Sequence, residues 1–144
     1  MNRSPAQSLA SFVGIAFLVV GILGFIPGVT THFDRLRFAG HRSGAELLGV
    51  FEVSILHNLL HLALGVAGLW LARTLAGAHL YLVGGGAAYL ALWLHGLLVD
   101  RHESANFIPV DSADNWLHFA LGLTMVVGGL LTGAARRTPT ARTG

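Results

Sequence analysis

Four stretches of this chain are apolar for long enough to cross a bilayer, and nothing else in it constrains the fold as tightly. Leu9 to Ile26 contains no charged residue and is stopped by Pro27-Gly28. The spans read as about 9–28, 47–72, 79–99 and 114–132. Each matches the ~20 residues a helix needs to cross ~30 Å of hydrocarbon. The expectation is an all-α, four-helix transmembrane bundle over 9–132, with a polar tail at 1–8 and a disordered tail at 133–144. Arg3 ahead of the first apolar run also suits a signal peptide, but no small-residue cleavage site follows and the run is long enough to span.

The charge content agrees. Charged residues make up 11% of the chain, against about 25% in ordinary soluble domains. They are concentrated outside the apolar runs. All nine basic residues are arginines, scattered over loops and termini with no basic face, so nucleic acid is not a partner. Without cysteine there is no disulfide, thiolate metal site or covalently attached haem.

The loop at 31–46 carries Asp34, Arg35, Arg37, His41, Arg42 and Glu46, with Phe33, Leu36 and Phe38 suited to the membrane interface. A tight turn at 73–78, with Gly77 as helix cap, joins the second and third spans. An acidic loop at 100–113 precedes the fourth span, which Ser112 or Asp114 could cap. Four spans put both termini on one side, and Arg3, Arg73, Arg136, Arg137 and Arg142 lean that side towards the cytoplasm. Trp70, Trp93, Trp116 and Tyr81 near span ends read as an aromatic belt.

One motif recurs inside the apolar runs. Asn58-Leu59-Leu60-His61-Leu62-Ala63-Leu64-Gly65 and Asn115-Trp116-Leu117-His118-Phe119-Ala120-Leu121-Gly122 both fit N-x-L-H-x-A-L-G. The second and fourth spans run in the same direction, so the echo suggests a duplicated two-helix unit. The first and third spans share mainly glycines. Small-residue stripes let helices approach closely in lipid: Gly14, Gly21 and Gly28; His57, His61, Gly65 and Gly68; Gly84, Ala88, Ala91 and His95; His118, Gly122, Met125 and Gly129.

If these stripes face inward, four histidines do too. His57 and His61 lie one turn apart, as two ligands of one metal ion do, and His95 or His118 would complete a nitrogen-rich transition-metal site. Alternatively His61 and His118 would hold a b-type haem from opposite sides. Gly65 and Gly122 would then leave room for the macrocycle, with Asn58 and Asn115 orienting the imidazoles. The plainer reading is a structural or partner-binding membrane subunit in which these residues only hydrogen-bond between helices, for about 0.6 kcal/mol each. A third is a proton or small-solute pathway below the acidic loop. Glu52, one turn into the second span, pairs most simply with a loop arginine. No G-x-S-x-G, phosphate loop or H-E-x-x-H occurs, and no catalytic residue is assigned.

The segments Gly24-Phe25-Ile26-Pro27-Gly28, His57-Asn58 to His61, Asn106-Phe107-Ile108-Pro109-Val110 and Ala113-Asp114-Asn115-Trp116-Leu117-His118 resemble a family. It comprises the small bacterial integral membrane proteins grouped as domain of unknown function 4383. The similarity covers nearly the whole chain apart from the tails. It implies a four-helix membrane protein. The expected setting is the bacterial inner (cytoplasmic) membrane, with the lipid bilayer and other membrane subunits or further copies of the chain as partners. The resemblance supplies no activity, substrate or cofactor.

Overall fold

The computed structural model describes residues 3–39, 43–98 and 112–134. Four helices dominate it: the first, α1, at Pro5–Leu23, the second, α2, at Ile55–Leu71, the third, α3, at Leu75–Leu98, and the fourth, α4, at Ser112–Ala134. The first, third and fourth are long and apolar enough to cross a membrane, consistent with an integral membrane protein. The second is an apolar helix of 17 residues.

Local chemistry sets the helix starts. Ser4 and Gln7 form a reciprocal capping box, with Pro5 on the first turn. Ser54 Oγ accepts the His57 N–H at 3.1 Å, and Thr74 Oγ1 accepts the Gly77 N–H at 3.0 Å. Gly77 therefore opens the third helix and does not close the second. The Gln7 side chain also donates to the carbonyls of Ala72 and Arg73, both at 3.1 Å. Two carbonyls left over at the end of the second helix are thus satisfied by the first.

The expectation of an all-α protein needs one correction. Thr30–Thr31, Ala45–Leu47 and Phe51–Val53 (β1, β2 and β3) form a small antiparallel sheet in that order. The apolar run beginning at Leu47 is thus sheet before it is helix, and the second helix begins at Ile55, eight residues later than expected (55 − 47). Backbone at positive φ explains the break: Leu48 and Gly49 turn the chain at φ 56° and 70°, a region α-helix cannot use. Ala45, Leu47 and Val53 are buried under Val20 and Leu23 of the first helix. Glu52 consequently lies on a strand opposite Glu46, with Oε1 accepting the Gly44 N–H at 3.4 Å, and is not a helical residue.

The first helix packs chiefly on the second, and the third on the fourth. Both pairings turn on glycine. A methyl group added at Gly65 would lie 2.8 Å from the Gly14 carbonyl oxygen, and one at Gly122 would lie 2.9 Å from that of Gly86. Backbone thus meets backbone at both crossings. In the second and fourth helices the whole expected stripe is buried. In the third, Gly84, Ala88 and Ala91 are exposed, while Gly86 and Tyr89 are buried. The third helix meets the fourth through Gly86, where an added methyl would lie 2.8 Å from the Gly122 carbonyl oxygen, and that close approach sets its inward face; a π-turn at Leu80–Gly84 precedes it.

Gly65→Leu is expected to push the first two helices apart and destabilise the protein by about 1–3 kcal/mol. Thermal unfolding in detergent should show this. Gly84→Ala, whose new methyl would sit 3.8 Å from Leu80 Cδ1, should leave the transition unmoved.

Candidate functional site

Because Ser54 starts the second helix, His57 falls in its first turn and His61 in its second. His61 and His118 each stand six residues past the first residue of their helices (61 − 55 and 118 − 112). At 1.5 Å per residue both lie about 9 Å in from the helix start. All three histidines are buried, and all three wall one cavity of about 200 Å³.

Their rings are ordered by aromatic neighbours. The His57 and His61 rings stack almost parallel, with centroids 4.6 Å apart and planes 4° from parallel. The His118 ring is 6.5 Å from that of His57. Phe17 of the first helix meets His61 edge-on at 5.5 Å, and Tyr89 of the third meets His118 in the same way at 5.2 Å. Phe17 and Tyr89 stack on each other at 5.3 Å, joining the two helix pairs. Nδ1 of His61 donates to the His57 carbonyl oxygen at 3.0 Å.

The other expected site residues fall elsewhere. His95 is half-buried on the third helix and does not line the cavity, because the helix turns Gly86 and Tyr89 towards the fourth helix. Among the described residues, Asn58 and Asn115 bond no imidazole. The Asn58 amide lies against Gly24 at the end of the first helix, and the Asn115 amide against Gly96 of the third. Neither amide atom of Asn58 has a hydrogen-bond partner among the described residues. The acidic loop, with Asp100, Glu103 and Asp111, and His41 and His102 lie outside the described residues. Asp114 is buried in the first turn of the fourth helix, where its charge complements the helix dipole.

Neither expected cofactor finds a fitting cradle. Gly65 and Gly122 open no space for a macrocycle, since Leu18 and Leu90 fill the position where each would carry a methyl group. The cavity of about 200 Å³ also falls short of the roughly 300–1,000 Å³ usual for larger organic ligands. For a metal ion, the lone pairs of imidazole lie in the ring plane, so stacked parallel rings do not aim them at one point. Among the described residues no group of three or more histidines and carboxylates is gathered to hold a metal.

Sequence reasoning missed Phe17, Tyr81 and Tyr89. Tyr81, expected in an outer aromatic belt, is buried and lines the cavity, whereas Trp70 and Trp116 are exposed. A signal for the other two was available. Gly14, Phe17, Leu18 and Gly24 of the first helix reappear as Gly86, Tyr89, Leu90 and Gly96 of the third at one constant offset. Asn58, His61 and Gly65 reappear as Asn115, His118 and Gly122 at another. The contacts repeat with the residues.

The family described as "Domain of unknown function (DUF4383)" matches residues 7–131, and the chain belongs to it. No curated protein and no solved structure matches the chain.

The asparagine–glycine contact is open to a coupled test. Gly24→Ala should destabilise the protein by about 1–3 kcal/mol through its clash with Asn58. Asn58→Ala in the same chain should recover part of that loss, a coupling that a double-mutant cycle in detergent will measure.

Proposed function

We propose that this chain is an integral membrane protein built from two similar helical hairpins, which hold one small, mainly apolar molecule between them. The observation that carries the reading is the shared cavity: His57 and His61 from one hairpin and His118 from the other wall the same space. Its size suits one ring. An apolar cavity of about 150 Å³ is enough for benzene in another protein, and this one is about 200 Å³. Its chemistry suits binding as well, with Phe17, Leu64 and Met125 supplying apolar wall and a few imidazoles supplying polarity. The surrounding bilayer would concentrate such a molecule by partition. No catalytic group is needed by this reading.

A second reading keeps the same residues as purely structural. The edge contacts of Phe17 with His61 and of Tyr89 with His118 favour it, because aromatic pairs contribute about 0.5–1.5 kcal/mol beyond their buried area.

Toluene separates the two. At ten times its dissociation constant a bound ligand adds about 1.4 kcal/mol to stability, so toluene should raise the unfolding temperature of detergent-purified protein. Leu64→Phe, which thickens the cavity wall, should abolish that rise. An unchanged rise in Leu64→Phe places toluene outside the cavity, and no rise at all in the unaltered chain leaves the structural reading.

A further inference from the structure

Resting on the cavity as a binding site, the geometry points to an occupant that donates a hydrogen bond. We infer that the cavity takes a ring-sized apolar alcohol or phenol whose hydroxyl donates to Nε2 of His61.

The tautomer of His61 decides which partner its free nitrogen can take. A carbonyl oxygen can only accept, so the 3.0 Å contact from His61 to the His57 carbonyl requires the proton on Nδ1. A neutral imidazole carries one N–H, and Nε2 of His61 is then a lone pair. No hydrogen bond to a described residue engages that atom, and the residue itself lines the cavity. Leu60, Leu64, Phe17 and Met125 in the wall have nothing to donate to it, and the donors that share the wall, Tyr81, Tyr89, His57 and His118, make no hydrogen bond with it. The ring is also held in place: His57 covers one face and Phe17 meets it edge-on, so it presents Nε2 in a fixed direction.

An acceptor set in an apolar wall discriminates between ligands of one shape. A ligand with a hydroxyl at that point gains a bond, and one with a methyl group leaves the acceptor unmet. One neutral hydrogen bond corresponds to a preference of about threefold to tenfold, beyond the difference in partition between the two molecules.

Phenol and toluene, nearly identical in shape, provide the test on the full chain in detergent. Dissociation constants are measured for both on the unaltered protein and on His61→Leu. The ratio of toluene to phenol constants should fall about threefold to tenfold in the variant, with partition cancelling between the two proteins. In the unaltered chain, histidine-selective nitrogen NMR should show the Nε2 resonance of His61 moving with phenol and staying put with toluene. This readout serves if the variant does not fold. Binding of both molecules with a still resonance or an unchanged ratio overturns the donor inference and leaves the cavity reading intact. Binding of neither removes both.

Discussion

The close approach of backbones at two glycine crossings is the constraint on which the rest of this structure depends. Gly14 against Gly65 and Gly86 against Gly122 bring each pair of helices within reach of each other's carbonyls. In hydrocarbon no hydrophobic force drives helices together, so such contact must come from packing. Between the pairs the side chains are large. Phe17 stacks on Tyr89 there, and Met125 is fully buried nearby. Tight seams within pairs and bulky groups between them leave the void that the histidines wall.

The small sheet governs where that void lies. By occupying Ala45–Leu47 and Phe51–Val53, it delays the second helix until Ser54 can cap it. His57 then falls in a first turn, and His61 comes level with His118. Thr30 secures the same end of the molecule, donating its hydroxyl to the carbonyls of Leu23 and Gly24 at 3.2 Å. These groups close the first helix in the way a terminal cap does. The sheet also buries its own apolar face on that helix end, so helix termination and sheet packing support each other.

Much of this was legible in the sequence, and the failures have physical causes. The helical stretches follow from apolar length, and the faces of the second and fourth helices follow from glycine and histidine spacing. Strands of two or three residues left no such mark. Leu47 to Val53 is apolar enough to pass for helix, and only backbone at positive φ at Leu48 and Gly49 separates the two. The third helix misled for another reason. Small residues lie on more than one of its faces, and Gly86 with Tyr89, not Gly84 with His95, meets the fourth helix. Asn58 and Asn115 have the polarity of ligand-orienting groups, yet each is spent against a glycine of the neighbouring helix.

By itself, the sequence determined that this protein is helical, apolar and marked twice by N-x-L-H-x-A-L-G, because periodicity and hydrocarbon-length runs are local properties of a chain. Tertiary structure alone decided which histidines meet. His57, His61 and His118 share a wall because the backbones cross at glycine and Phe17 stacks on Tyr89. Those contacts join residues far apart in the chain, and no local pattern specifies the distance between them.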